Sequence, residues 1–169
     1  MAQFHPCQLE DTITSPSTLA VAVKRLPIQS RKCFEAERAA FKHIKAHDLG
    51  RFNIATLLTD PLTTPKSHYF ILPLADGDME RSMQVPDFSD YSNSIHARMA
   101  PLVEGLATLH ETGIAHCDLK HKNILIYKTS EHDLTLKIAD FGHSLPILPD
   151  THPAKGHFCP STFSAPETW

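Results

Sequence analysis

Two short apolar runs, residues 124–127 and 134–139, are separated by a polar turn and predict a β-hairpin. Both runs contain β-branched side chains, which are favoured in strands. A polar loop at residues 116–123 leads directly into the first run, and Asp-Phe-Gly at 140–142 follows the second run directly. The hairpin is therefore flanked on both sides by short polar segments.

A buried strand and an amphipathic helix are predicted upstream. Residues 19–26 form a short apolar run closed by Pro27, which is typical of a largely buried strand, although Lys24 is unusual near the end of such a strand. From about Ser30 a helical period appears. Glu37 lies on the apolar stripe of this helix, which also contains Phe34, Phe41 and Ile44.

The middle of the chain contains a second predicted hairpin and one long helix. Residues 53–58 and 68–74 are strand-like runs separated by a proline-containing turn, and we expect them to pair. Helical spacing begins at Ile95 and continues to Gly113, a suitable C-cap. Pro101 is expected to kink or delay this helix.

These elements predict an α+β chain that is divided at one polar segment. Residues 75–94 are polar and are interpreted as a linker between residues 19–74 and residues 95–169. Residues 1–18 are polar, show no clear period and are predicted to be an extended or disordered lead.

Composition excludes several classes of function. With 169 residues, 41% of them hydrophobic and 21% charged, the chain resembles an ordinary soluble globular domain. The formal net charge of −3, with acidic and basic residues interleaved, indicates neither a nucleic acid nor a membrane surface as partner. The four cysteines include no C-x-x-C pair, so we expect reduced thiols in an intracellular compartment, cytoplasmic or nuclear. No secretory leader and no run of 18 apolar residues is found.

The segments on either side of the first hairpin match a catalytic pattern. Residues 116–123 fit H-x-D-L-x-x-x-N, and residues 140–142 are D-F-G. At roughly one chance in twenty per position, these specified residues in order are a coincidence on the order of one in a billion per start. Ala-Pro-Glu at 165–167 strengthens the match. The sequence thus resembles the eukaryotic protein kinase family over about 19–169, and Leu119-Lys120 resembles its serine/threonine-specific branch.

This resemblance implies a protein kinase-like two-lobe fold of the α+β class that is incomplete. Residues 19–74 would form a small, mainly β lobe with one helix, and residues 75–94 the interlobe linker. Residues 95–169 would then be the first part of the helical large lobe, from its start through the catalytic loop, D-F-G and A-P-E.

The resemblance also implies ATP-dependent phosphoryl transfer to serine or threonine of protein substrates, with ATP and Mg²⁺ as cofactors. Such transfer needs positioning and charge stabilisation more than covalent chemistry. Asp118 is implied as the catalytic base, and Lys120 as the cation that neutralises charge on the transferred phosphate. Asn123 and Asp140 are implied as magnesium ligands, and His116 as a brace of the loop. One amide and one carboxylate suffice because Mg²⁺ keeps water and phosphate oxygens in its shell.

Lys24 stands in the sequence A-x-K with Ala22. Taken alone, it could be a lysine that extends from a strand end towards water. The resemblance implies instead that Lys24 binds the nucleotide phosphates and that Ala22 lines the adenine site. The resemblance also implies that Glu37 is the ion-pair partner of Lys24, and a carboxylate on an apolar stripe is costly to bury without a cation. Glu35, the competing glutamate, falls on the polar side.

Three departures from the family pattern bear on activity. No glycine precedes Gly50, so the G-x-G-x-x-G loop that closes over ATP phosphates is absent from this chain. Pro160 occupies the place of a threonine, seven residues ahead of Glu167, and offers neither hydroxyl nor N–H. Cys117 occupies the place of an arginine, which predicts a kinase that depends less on phosphorylation of its activation loop.

Two alternatives to an active protein kinase stay open. The missing glycine loop favours a catalytically impaired pseudokinase that acts as a nucleotide-binding or scaffold module. A small-molecule phosphotransferase is the other, although D-F-G followed by A-P-E favours protein substrates. Because the chain ends at Trp169, we expect truncation at both ends and exposed apolar surface that a partner would cover.

Overall fold

Four antiparallel strands form the first sheet, in the order β1-β2-β4-β3. A computed structural model describes residues 3–9, 19–83, 92–130 and 133–147, with only the backbone at 3–9, 19 and 92–97. The strands are Gln3–Leu9 (β1), Leu19–Pro27 (β2), Leu62–Thr63 (β3) and Ser67–Pro73 (β4). Side chains of β4 alternate between buried and half-buried along most of its length, which confirms it as a strand with one face against the core.

Helix α1, Arg31–Ala46, packs against this sheet through one stripe. The stripe confirms the predicted period, because its buried residues lie at positions i, i+3, i+6, i+7 and i+10 on one face of the helix: Phe34, Glu37, Ala40, Phe41 and Ile44. The Phe34 ring stacks on His68 of β4 with 3.8 Å between centroids, and the Phe41 ring lies 5.6 Å from that of Phe70. Aromatic packing therefore sets the position of α1 on the sheet.

The predicted hairpin at 124–139 is confirmed in a second antiparallel sheet of order β5-β7-β8. Its strands are Gly77–Asp78 (β5), Ile124–Ser130 (β7) and Asp133–Ile138 (β8). A third sheet pairs β6, Ile114–Ala115, with β9, Leu145–Pro146. The buried core runs through both larger sheets, and in the hairpin it includes Ile124, Ile126, Leu134, Leu136 and Ile138.

Helix α3, Ser92–Glu111, is the longest of the described helices and packs on β8. It begins three residues before the predicted Ile95 and contains Pro101 in its interior. Arg98 of this helix donates hydrogen bonds to the Leu134 carbonyl oxygen and the Asp133 carboxylate, which fixes the end of the hairpin. After the helix, Gly113 has a φ of 99°, so it supplies the left-handed turn expected of a C-cap glycine.

The prediction that residues 53–58 pair with residues 68–74 as a hairpin is wrong. Residue 54 bridges to Ile138 of β8 instead, and β4 pairs with the two-residue strand β3. Asn53 has a φ of 59° and donates through its side chain to the Leu136 carbonyl oxygen at 2.7 Å. The backbone of this segment therefore bonds mainly to the hairpin β7–β8, where Ile54 and Ala55 are buried, while the Leu58 N–H donates to the Ile71 carbonyl oxygen of β4 at 2.9 Å.

Part of the segment predicted to be an extended or disordered lead, residues 1–18, is extended and paired, so disorder is not the outcome there. Gln3–Leu9 form strand β1, which pairs with β2 along its full length. Pairing with β2, the strand that contains Lys24, gives these residues backbone partners that the local sequence did not indicate. The end of this lead at residue 18 stays a prediction.

The predicted linker contains regular structure where it is described. Strand β5 and the short helix α2, Met79–Ser82, lie within residues 75–94, and Asp78 caps that helix by accepting the Arg81 N–H at 2.9 Å. Asp76 accepts the Lys128 N–H at 2.7 Å. The Tyr127 hydroxyl also donates to the Pro73 carbonyl oxygen at 3.3 Å. Hydrogen bonds to β7 therefore fix residues 73–78, which connect the first sheet to the second.

Helix α3 approaches the segment after α1 so closely that one position requires glycine. A Cβ atom added at Gly105 would lie 2.0 Å from the Phe52 carbonyl oxygen. We expect Gly105→Ala to lower the free energy of unfolding by about 1–3 kcal/mol, because the overpacking outweighs the better helix propensity of alanine. Urea denaturation measures this. Gly77→Ala is the matched control, since its Cβ would meet only the Ser82 hydroxyl at 3.8 Å; an equal loss in both variants would contradict the packing argument.

None of the described helices is both long and apolar enough to cross a membrane. Among the described residues, Val103 of α3 is 63% exposed and Ile147 is 45% exposed. That a partner covers such apolar surface stays a prediction.

Candidate active site

Lys24 is brought to two carboxylates from distant parts of the chain. Its strand β2 lies beside β4, and its side chain, 3% exposed, points to the stripe of α1. The Nζ atom donates to both Glu37 carboxylate oxygens at 2.8 Å and to Asp140 Oδ1 at 2.7 Å. The predicted pairing of Lys24 with Glu37 is thus present, and Asp140 is a third member that sequence patterns did not place there. Glu35 instead pairs with Arg38 at the surface.

One ammonium group serving two carboxylates shifts all three pKa values. Burial acts to lower the pKa of Lys24, but attraction from Glu37 and Asp140 outweighs it and raises the pKa above its ordinary value. Burial raises the pKa of Glu37 to about 7 against the attraction of Lys24, and the Asp140 charge adds to this rise. For Asp140, burial acts in the same direction, but Lys24 prevails and lowers the pKa. Asp140 is therefore the carboxylate that stays ionised most readily.

The raised pKa of Glu37 predicts a pH-dependent difference between the wild type and Glu37→Gln. Folded protein retains the Glu37 proton up to about pH 7, whereas the unfolded chain releases it near 4.5. Stability from this proton is present below the unfolded value and is lost as pH rises through the folded one. We therefore expect Glu37→Gln, which has no such proton, to gain stability relative to wild type between about pH 5 and about pH 7.5.

Urea denaturation at both pH values measures this gain. Glu35→Gln on the same helix is the control, because its side chain is 42% exposed and lies apart from Lys24. A stability difference between wild type and Glu37→Gln that is constant with pH would show that Glu37 has an ordinary pKa.

The loop at 116–123 is ordered by a buried histidine. His116, 2% exposed, accepts the Asp118 N–H at Nδ1 over 3.2 Å and donates from Nε2 to the Ala139 carbonyl oxygen at 3.0 Å. Burial lowers the pKa of His116, in keeping with the neutral ring that these two bonds require. The ring therefore connects the residue before Asp140 to the backbone of Asp118.

Asp118 lies at the centre of a network with its own loop. Its Oδ2 atom accepts from Lys120 Nζ at 2.7 Å and from Asn123 Nδ2 at 3.1 Å. Asn123 Nδ2 also donates to the Asp118 carbonyl oxygen at 2.8 Å. Within the described residues, both side-chain hydrogen bonds that the Asp118 carboxylate accepts go to Oδ2, which leaves Oδ1 to accept from another donor.

Asn123 and Asp140 stand at the two open ends of the hairpin. Residues 124 and 138 pair across the hairpin, and the Ala139 N–H donates to the Asn123 carbonyl oxygen at 2.9 Å. The bonds that fix Asn123 use its nitrogen, and those that Asp140 accepts from Lys24 and Gly142 use Oδ1. The amide oxygen of Asn123 and the Oδ2 atom of Asp140 are therefore left for a metal ion. The lowered pKa of Asp140 keeps its carboxylate ionised, and hard oxygen ligands of this kind fit Mg²⁺.

Phe141 joins the two halves of the site through aromatic packing. Its ring is fully buried, meets Phe41 of α1 edge-on at 5.4 Å, and lies 5.2 Å from the His116 ring. Sequence analysis did not identify this stack, although the position of Phe41 one turn after Glu37 on the buried stripe is a signal for it. The packing ties α1, and with it Glu37, to the loop that carries Asp118.

Two residues of the site adopt left-handed backbone conformations. Cys117 has a φ of 60° and Asp140 a φ of 67°. Such conformations cost non-glycine residues about 1–3 kcal/mol and are retained where the surrounding structure over-determines them.

Ala22 lies on β2 two residues before Lys24, half-buried and opposite Leu72 of β4. Pro160 and residues 165–167 lie outside the described residues.

Comparison with known proteins identifies the family of this chain. The family model "protein kinase domain" matches residues 10–169. A calcium/calmodulin-dependent protein kinase, cmkB of Emericella nidulans, is 31% identical over 147 residues, which cover 83% of this chain and 35% of that protein. The mitogen-activated protein kinase HOG1 of Phaeosphaeria nodorum is 27% identical over 142 residues, covering 80% and 36%.

A serine/threonine-protein kinase H1 homolog of Pinctada fucata is 28% identical over 142 residues, covering 83% of this chain and 31% of that protein. The chain spans about a third of the length of these curated relatives. Because the family model matches nearly the whole sequence, the chain belongs to the protein kinase family.

Proposed function

We propose that this chain carries the catalytic residues for Mg²⁺- and ATP-dependent phosphoryl transfer to serine or threonine of a protein substrate. The observation that supports the proposal most is the convergence of Lys24, Glu37 and Asp140. Three segments separated by up to 116 residues in sequence meet within hydrogen-bond distance. A buried lysine between two carboxylates gives the site one oriented cation and one ionised oxygen ligand.

The proposed roles use the side-chain oxygens that the described hydrogen bonds leave available, together with the two lysines of the site. Oδ1 of Asp118 accepts the proton of the substrate hydroxyl, whose oxygen bonds to the γ-phosphorus while the bond from that phosphorus to ADP breaks. Lys120, already 2.7 Å from Asp118, offsets negative charge on the transferred group. Lys24 orients the nucleotide phosphates, and Ala22 lines the adenine site. Asn123 and Asp140 would bind Mg²⁺, which when bound neutralises charge on phosphate oxygens.

The proposal is tested by thermal unfolding with and without Mg²⁺ and ATP, together with phosphate incorporation into a serine or threonine peptide. Wild type should show both a ligand-dependent rise in Tm and transfer, and Asp140→Asn should lose the Mg²⁺-dependent part of both. Asp60→Asn, whose carboxylate is 88% exposed, is the control that should retain both. Absence of a Tm shift in wild type would reject the nucleotide site.

The pseudokinase alternative predicts a different outcome of the same experiment. It is favoured by one feature, the absence of glycine from the segment that joins β1 to β2. The names of the relatives, all kinases, give it no support. A Tm shift without phosphate transfer by wild type would indicate a nucleotide-binding module.

A further inference from the structure

The side chains beside Asp118 define the surface that a substrate must cross. Leu119 is 36% exposed, Lys120 is half-buried, and a short 3₁₀ turn at His121–Asn123 exposes Lys122. When the serine or threonine hydroxyl of a substrate reaches Asp118, the substrate residues next to that serine or threonine lie over this loop, because they are covalently joined to it. The loop carries two lysines against one aspartate.

We infer, on the basis of the proposed function, that the protein substrate has an acidic side chain close to the serine or threonine that is phosphorylated, and that Lys122 binds it. Lys120 is 2.7 Å from Asp118 and is engaged with that carboxylate. Lys122 is turned outward, and its side chain is 59% exposed. Of the two lysines, Lys122 is therefore the one that a substrate carboxylate can reach.

The contact that Lys122 makes now is one that a substrate can replace. Its Nζ lies 3.5 Å from Glu80 Oε2 of helix α2, and the Glu80 side chain is 49% exposed. Exposed pairs of this kind contribute little stability because water screens them and two long side chains must be ordered. A substrate carboxylate can thus take the place of Glu80 at little cost.

Glu80 also defines the competing hypothesis, in which a basic substrate side chain binds Glu80 itself. Such a side chain would pass Lys120 and Lys122, both of the loop that holds Asp118, and would be repelled by them. Glu80 lies outside that loop, on α2. The charges next to the acceptor site therefore favour an acidic neighbour over a basic one.

Three peptides test this inference. They share one serine and differ only in whether the flanking residues are glutamate, glutamine or lysine. With Mg²⁺ and ATP, we expect kcat/KM to be highest for the glutamate peptide and at least about threefold higher than for the lysine peptide. Lys122→Gln should remove this preference, and Lys122→Glu should reverse it. Lys66→Glu, an exposed lysine in the turn before β4, is the matched control and should retain the wild-type order.

A second measurement keeps the inference separate from the proposed function. Fluorescence anisotropy of the same peptides, labelled, reports binding whether or not phosphate is transferred. If no peptide is phosphorylated, the proposed function fails, and the order of binding affinities still decides the charge preference. A wild-type preference for the lysine peptide, or an order unchanged by Lys122→Glu, would overturn the assignment of Lys122.

Discussion

Asp118→Asn is expected to lower kcat for phosphoryl transfer by about a hundred- to ten thousand-fold, the range for loss of a positioned general base. Asparagine has the same size and keeps one side-chain oxygen. That neutral amide oxygen can accept the hydrogen bonds that Lys120 and Asn123 donate to Oδ2 in the wild type. What the variant loses is the carboxylate that accepts the hydroxyl proton.

Phosphate incorporation under saturating Mg²⁺ and ATP measures this loss, and the ligand-dependent Tm shift shows whether the nucleotide still binds. We expect the Tm shift to stay close to that of wild type, since Lys24 and Asp140 are untouched. Asp60→Asn is the control for the same chemical change at an exposed position. A rate for Asp118→Asn within about threefold of wild type would remove Asp118 from the catalytic step.

Lys24→Met is expected to lower the free energy of unfolding by about 3–5 kcal/mol at pH 8, because removing one partner of a buried ion pair leaves charge without compensation. Two carboxylates share this lysine, and the Glu37 side chain is only 2% exposed. Without Lys24, the attraction that opposes the rise in the Glu37 pKa is gone, so that pKa should rise above about 7. The same reasoning predicts loss of Mg²⁺-ATP binding.

Protonation gives this variant a characteristic pH dependence. A carboxyl group with a raised folded-state pKa contributes stability below its unfolded pKa, and this stability is lost as pH rises through the folded pKa. The destabilisation of Lys24→Met should therefore be smaller at about pH 5 than at pH 8, as measured by urea denaturation. Lys42→Met, the same substitution at an exposed position on helix α1, is the control. Equal stability of Lys24→Met and Lys42→Met at pH 8 would contradict a buried ion pair.

Much of the candidate site was predictable from short motifs. The spacing within 116–123 and the D-F-G triplet identify the loop and the family, because both are local runs whose residue types are tied to one chemistry. Glu37 was also predictable, since a carboxylate on a buried helical stripe needs a cation and Lys24 was the unusual charge in the neighbouring strand. Hairpin β7–β8 was visible as two apolar runs around a polar turn.

Other parts of the fold could not be read from local pattern. Residues 53–58 look like a strand, yet the backbone of Asn53 and Ala55 bonds to Ile138 of β8, more than 80 residues away, and only the Leu58 N–H among the described bonds of this segment donates to the nearby β4. Strand β1 shows no clear period and contains Pro6, and its pairing with β2 is not visible in its own sequence. In both cases the decisive partner is distant in sequence, and strand propensity does not specify which edge a segment joins.

The sequence by itself determined the family, the hairpin and the identities of the charged residues, because each depends on residues within a few positions of one another. Only the tertiary structure decided that Asp140 shares Lys24 with Glu37, and that the Phe141 ring joins Phe41 to His116. The physical reason is that burial fixes these contacts: one desolvated ammonium and one buried ring must be surrounded on every side, and segments more than 100 residues apart supply the neighbours.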